Sequence, residues 1–350
     1  MDMMNRTTTT TTTTMLTSFN CTVDTNYHFA YYQIAYSLIF SFGLASNVMA
    51  LRRLWIIPRN LTSTAVYMAN LAAVDLFFIV SLPLRIYYYY NRYHDSAWFP
   101  GRAFCLLTFT LKYISLYGGI FFLVCIGVDR YFAVVHPLLQ RLRQVRTARV
   151  LSSMIWLVVL ALSLTLPFLL SAASLRNHPC MLDPSSQRHH TFILVALALV
   201  QAAFLLPALL LIFSYCSVLR VLCKLALRKK AHHKRTLTVI YWVLGVFLLC
   251  FAPYHFNLLG YTLTHTGVLR SCGLAKVTTA LHPIVLSLAS SNCCLNPLIY
   301  YFSSNLVHKQ VAGHRGSVFH THSSLVYLSC FHSSMHKNVP QQTKTSLYYQ

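Results

Sequence analysis

The stretch NLAAVDLFFIVSLPLRIYYYY, residues 70–90, decides the fold class. It has the length of about 20 residues that a helix needs to cross the roughly 30 Å hydrocarbon core of a bilayer. Only two of its residues, Asp75 and Arg85, carry a charge near neutral pH. An arginine at the centre of a membrane helix costs about 2.5 to 3.5 kcal/mol. A charge kept at that cost calls for a partner, which makes Arg85 the first residue to explain.

The whole chain has the same character. Of its 350 residues 56% are apolar, mean hydropathy is +0.54, and only 10% are charged, against about 25% in an average soluble domain. Apolar runs of spanning length occur near 32–54, 64–90, 104–128, 150–172, 191–219, 237–263 and 277–302. The expected fold is therefore an all-α membrane protein, a bundle of seven transmembrane helices with its two ends on opposite sides. Most of the 28 basic residues fall after the first, third and fifth runs and in the tail. Cytoplasmic loops are enriched in such residues, so the N-terminus is expected outside and the C-terminus in the cytoplasm.

Sequons at Asn5 and Asn20 lie on the expected outer segment and are candidate glycosylation sites. A third, at Asn60, falls on the inner side and is read as a chance match. The N-terminal "MDMMNRTTTT" lacks the apolar core of a cleavable signal, so the first span is expected to act as signal anchor. The threonine run Thr7 to Thr14 reads as a disordered lead-in, O-glycosylated or without a role of its own.

The net charge of +22 does not point to nucleic acid, because the basic residues flank apolar spans. Membrane lipid headgroups and an acidic cytoplasmic partner account for it. Cys21, Cys105, Cys180 and Cys272 all fall on the outer side, where disulfides persist. Four cysteines allow three pairings, and spacing does not choose among them. No assembled catalytic set is visible, so the chain is not expected to be an enzyme. A transporter would show internal repeats, and none is seen.

The polar residues inside the spans form an ordered set: Asn47 in the first, Asp75 in the second, Asp129-Arg130-Tyr131 at the inner end of the third, and Trp156 in the fourth. Pro207 and Tyr215 follow in the fifth, CFAPYHF (250–256) in the sixth, and SNCCLNPLIYYF (291–302) in the seventh. This set, in order, membrane side and spacing, resembles the rhodopsin-like (class A) G-protein-coupled receptors over nearly the whole chain. The resemblance implies an extracellular segment at 1–30, a seven-helix receptor domain at 31–302, and a short amphipathic helix with a disordered cytoplasmic tail at 303–350. It also implies plasma-membrane location, the pairs Cys105–Cys180 and Cys21–Cys272, and a heterotrimeric G protein as partner, with arrestin and receptor kinases as further partners. A retinal-binding member would need a lysine among Leu286 to Ser291, and there is none.

Further roles follow from the resemblance. Asp129, Arg130, Tyr131, Tyr215, Phe251, Pro253, Asn296, Pro297 and Tyr300 form the coupling and switching set. Asp129 beside Arg130 lowers the cost of a charge at the membrane edge, and a released guanidinium can cap the carbonyls of an inserted helix. Asp75 either shares a sodium ion or a proton with polar groups such as Asn292 and Asn296, or serves as a structural hydrogen-bond hub with Asn47 and Asn296. Gly119 stands where many members have a serine ligand, which weakens the sodium version. No other cofactor and no other metal is expected.

Lys112 lies two helical turns inward from Cys105, so with Arg85 it should sit in the outer half of the bundle. Two cations in one apolar pocket repel unless an anion joins them. Arg270 and Lys276 near the mouth, and Tyr88, Tyr113, Tyr254 and His255 as hydrogen-bonding neighbours, complete the expected ligand set. VYMANLAAVDLFFIVSLPLRIYYY (66–89) and DRYFAVVHPLLQRLRQVRTARVL (129–151) are similar to lysophosphatidic acid receptors of the purinergic-like branch, whereas CLLTFTLKY and CFAPYHF are more similar to lysophosphatidylserine receptors. Nucleotide receptors of this branch carry a basic residue where Leu258 stands here. The expected ligand is thus a lysophospholipid, lysophosphatidic acid ahead of lysophosphatidylserine, with a nucleotide as an alternative. Proton sensing by His28, His94, His178, His189, His190 and His265 is a lesser one.

In some members the inner arginine also bridges to an acid at the foot of span six. Residues 220–240 contain no acid, so Arg130 lacks that second lock. Cells expressing the chain should show basal G-protein signalling above mock-transfected cells, and equality of the two would count against a loosely held resting state.

Overall fold

The computed structural model describes residues 13–16, 21–24, 27–56, 62–94, 101–173, 190–225 and 230–299. Seven helical segments in it are long and apolar enough to cross a membrane. They run α1 (Tyr27–Ile56), α2 (Ser63–Tyr93), α3 (Arg102–Val135), α4 (Val145–Ala173) and α5 (His190–Leu225), then α6 (Lys230–Val246) with α7 (Ala252–His265) as span six, and α8 (Cys272–Ser290) opening span seven. Past a turn at Ser291, span seven continues as helix to Ile299.

The helices overrun the apolar runs at most ends. α3, for example, carries Asp129, Arg130 and Tyr131 within it and stops only at Val135. Hydropathy marks the hydrocarbon thickness, whereas backbone hydrogen bonding continues through the headgroup layer. A second difference lies before α1, in the segment read as disordered. β1 (Thr13–Leu16) and β2 (Cys21–Asp24) pair antiparallel there, Thr13 opposite Asp24 and Leu16 opposite Cys21. Threonine and valine favour extended backbone, and a four-residue connection suits a hairpin.

α3 is the most enclosed span. Leu71, Ile79 and Leu82 of α2, Ile120, Leu123 and Ile126 of α3, and Phe247 and Phe251 of span six fill the centre with little or no exposure. Ile34, Phe42, Val80, Leu157, Leu206 and Leu209 face outward, as lipid contact requires.

Prolines shape the spans. Pro253 lies just beyond a π-helical turn, Phe247–Phe251, that separates α6 from α7. Pro297 cannot donate a hydrogen bond to the carbonyl four residues earlier, Cys293. That carbonyl instead accepts from Asn47 Nδ2 of α1 at 2.7 Å, so a buried asparagine repairs the break and ties span one to span seven.

α2 and α3 approach closely at Gly118, where an added Cβ would lie 2.7 Å from Val74 Cγ1 and 3.2 Å from its Cβ. Val74 is β-branched and rigid, so it cannot swing aside. At Gly127 the neighbour would be the flexible end of Leu211. Gly118→Ala should therefore cost about 1–3 kcal/mol of overpacking and lower thermal stability in detergent more than Gly127→Ala does. Equal losses would show that this approach does not limit the packing.

Candidate functional site

The outer site is built around Arg85. It is only 7% exposed, and its Nη2 donates to the Thr108 carbonyl of α3. Its Nε is buried with no acceptor. The hydroxyls of Tyr36, Tyr89, Tyr113 and Tyr254 and the ammonium of Lys112 all lie within electrostatic reach of the guanidinium. Lys112 Nζ rests 5.5 Å from the ring centroid of Tyr113 and 5.8 Å from that of Tyr254, a cation–π arrangement that partly offsets its desolvation. Among the described residues neither cation has a carboxylate partner. Two positive charges thus share a tyrosine-lined site without a counter-ion among the described residues.

Tyr113 and Tyr254 join the two cations, while the rest of the expected set lies elsewhere. Tyr88 packs on Tyr89 at 5.3 Å and Phe104 at 6.5 Å. His255 turns toward span five, stacked 4.2 Å from Phe204, its Nδ1 2.8 Å from the Phe251 carbonyl. Arg270 and Lys276 are exposed at the outer end. The sequence reading missed Tyr32, Tyr36, Tyr89, Tyr117 and His282. Tyr32, Tyr36 and Tyr89 stack with centroids 4.6 to 5.9 Å apart, and Tyr113 stacks on Tyr117 at 6.1 Å. The signal was present: Tyr32/Tyr36 and Tyr113/Tyr117 are each four residues apart, on one helix face.

At mid-membrane Asp75 is fully buried. Asn296 Nδ2 donates to both of its oxygens, at 3.1 and 2.9 Å. Asn47 serves the Cys293 carbonyl rather than Asp75. The side-chain oxygens of Asn47, Asn292, Asn296 and Ser287 are buried without donors, and such orphans are usually met by water or an ion. A carboxylate beside Asn296, whose own amide oxygen lacks a donor, is a hard-oxygen pair of the kind that suits a monovalent cation. An added Cβ at Gly119 would sit 3.4 Å from Asn292 Nδ2 and from Phe251 Cζ, which places the missing hydroxyl beside this cluster.

On the inner side Asp129 is tied to the start of α2. Ser63 donates to its Oδ1, Thr64 to its Oδ2 at 2.5 Å, and Arg130 Nη2 to Oδ2 at 2.7 Å. Arg130 also donates to the Thr64 hydroxyl, and Arg143 Nε stands 3.6 Å from Asp129 Oδ1. Thr62 caps α2 by accepting from Ala65 N, so the carboxylate lies at a helix N-terminus, where negative charge is favoured. Thr62-Ser63-Thr64 before an apolar run was a legible cap signal that the reading passed over. Tyr131 Oη lies 3.1 Å from His136 Nε2, Tyr215 meets Tyr241 edge-on at 5.3 Å, and Trp242 Nε1 donates to the Leu295 carbonyl at 3.3 Å. Pro297 is buried.

Cys105 and Cys272 are each disulfide-bonded. Cys180, Asn5, Asn20, Tyr300 and the tail lie outside the described residues, as does the side chain of Cys21.

With this geometry established, residues 46–300 match the model of the 7 transmembrane receptor (rhodopsin family). The chain belongs to the rhodopsin family of receptors. It is 33% identical to lysophosphatidic acid receptor 6 of Gallus gallus over 297 residues, 83% of this chain and 95% of the relative. It is equally 33% identical to a putative purinoceptor of Mus musculus and the probable G-protein coupled receptor 174 of Homo sapiens, each over 303 residues, 83% of this chain and 89% of theirs. The chain is thus a multi-pass plasma-membrane receptor of a G-protein-coupled family and not an enzyme.

In this receptor Ser63 and Thr64 pin both Asp129 and Arg130 to α2. Hydrogen bonds to charged groups contribute about 1.5–3 kcal/mol each, so Ser63→Ala with Thr64→Val should raise basal G-protein activation several-fold at equal surface expression. Unchanged basal activity would remove this pair from the resting lock.

Proposed function

We propose that this receptor is activated by an anionic lysophospholipid, lysophosphatidic acid before lysophosphatidylserine, and passes that event to a heterotrimeric G protein. The observation that carries the reading is the pair Arg85 and Lys112, two cations without a carboxylate partner among the described residues, inside a cage of tyrosines. A phosphate between them would remove their repulsion and accept from Arg85 Nε and the tyrosine hydroxyls. Leu258, packed against the core, adds apolar surface where a longer phosphate chain would want charge. Similarity to lysophosphatidic acid receptor 6 supports the same ligand class; similarity to the putative purinoceptor keeps a nucleotide as the competing one.

A phosphate held by α2 and α3 would also draw on Tyr254 of α7, just beyond the π-helical turn. Only contacts that differ between resting and active states shift the balance, and Tyr254 is the contact on the segment best placed to move. A sodium ion held by Asp75 and the orphan amide oxygens would favour the resting arrangement. Arrestin and receptor kinases would act on the cytoplasmic tail.

The test is ligand-stimulated G-protein activation in transfected cells, with lysophosphatidic acid, lysophosphatidylserine and nucleotides compared. Removing one partner of a buried charged contact costs 2 kcal/mol or more, about a 30-fold change. Arg85→Ala and Lys112→Ala should each lower lysophospholipid potency by about 30-fold or more, whereas the exposed Arg270→Ala should change it by less than about threefold. A nucleotide response, or a lipid response that survives both changes, would overturn the assignment.

A further inference from the structure

A second group of titratable side chains borders the outer site, and neither the family motifs nor the cation pair uses it. His282 of α8 stacks on Tyr261 with centroids 4.9 Å apart, and His265 stacks on Tyr261 at 3.9 Å. The Asn257 amide nitrogen lies 3.4 Å from His282 Nδ1. Tyr254 stands between the groups, 6.4 Å from the His282 ring and 5.8 Å from Lys112 Nζ. Tyr27 donates to the Ala280 carbonyl at 3.3 Å, which brings the start of α1, with His28, to the same place.

The groups facing His282 can be named element by element. Lys112 faces it from α3, His28 from α1, and Tyr254, Asn257, Tyr261 and His265 from α7. β2 also packs on α8 and carries Asp24, whose side chain lies outside the described residues. Cations and neutral groups therefore surround the imidazole among the described side chains. A proton taken up there adds a positive charge facing Lys112, which itself stands within electrostatic reach of Arg85. Repulsion within such a cluster is relieved only by an anion, so anion capture and proton uptake favour one another, and by linkage each must strengthen the other.

We propose that His282 is a proton-dependent third cationic contact of the ligand site, so that this receptor binds its anionic ligand more tightly as the medium turns mildly acidic. This rests on the anionic-ligand reading above, and adds that the binding event takes up a proton. Buried beside Lys112, the ring stays uncharged without an anion and takes its proton only together with one, which is what couples the two events. Tyr261 stacks on the ring and Asn257 approaches its Nδ1, which makes it a positioned side chain rather than a loop histidine.

The experiment measures ligand-induced thermal stabilisation of the purified full-length receptor between about pH 8 and about pH 6. Two probes are used: lysophosphatidic acid, and pyrophosphate, which asks only for clustered positive charge. Wild type is compared with His282→Gln, which keeps a hydrogen-bonding group without a titrating proton, and His282→Lys, which fixes the charge. The ratio of wild-type to His282→Gln affinity cancels the probe's own titration. That ratio should rise several-fold toward acid pH, within the limit of about tenfold per pH unit for one linked proton. His282→Lys should hold the high-affinity level across the range. A constant ratio with both probes, or no stabilisation by either, overturns the proposal. A rising ratio with pyrophosphate while lysophosphatidic acid fails to bind supports the proton link and rejects the lipid. Binding of the lipid with constant ratios does the reverse.

Discussion

Hydrocarbon offers a backbone no hydrogen bonds, and that constraint governs the rest of the molecule. Every span must satisfy its own amides, so it must be helical, and every interruption must be repaired from a neighbour. The Pro297 break is repaired by Asn47 across two helices. Asn47 is thus first a structural donor, and its remaining oxygen is buried without a donor. The same rule explains why Arg85 spends one nitrogen on the Thr108 carbonyl: a buried guanidinium bonds whatever acceptor the bundle supplies, and here its Nε is left without one.

Charge in this receptor is sorted by depth. At the inner edge the carboxylate of Asp129 is surrounded by hydroxyls, a helix N-terminus and arginine, and its charge is fully answered. At mid-membrane one carboxylate meets an excess of unpaired amide oxygens. In the outer half the charges are positive and unanswered among the described residues. Acceptors at the centre and donors outside give the two depths opposite electrostatic character, the one suited to a cation and the other to an anion.

Much of this could be read from residue order. Span count followed from hydropathy, because bilayer thickness sets one length for all seven helices. The joint placement of Arg85 and Lys112 followed from helical pitch and one cysteine. His255 could not be placed: its neighbours in sequence suggest the pocket, but rotation about the span-six axis after a π-helical turn decides which way it faces, and that turn has no reliable sequence mark. His282 was invisible for a related reason, since its importance comes from Lys112, Tyr254 and Tyr261 on two other spans. The hairpin before α1 was masked by low complexity, where a threonine run reads equally as disorder and as strand.

The close approach of Gly118 to Val74 has a mechanical consequence. Spans two and three, clamped there without room for a methyl group and tied again through Asp129 to Ser63 and Thr64, would act as the stator in any switching motion. Span six, interrupted by its π-helical turn and proline, would be the rotor. Arg85 and Lys112 both belong to the stator, so a bound anion would be a fixed post. The torque it exerts must pass through whatever it touches on the rotor, and the described residue that meets both cations from that side is Tyr254.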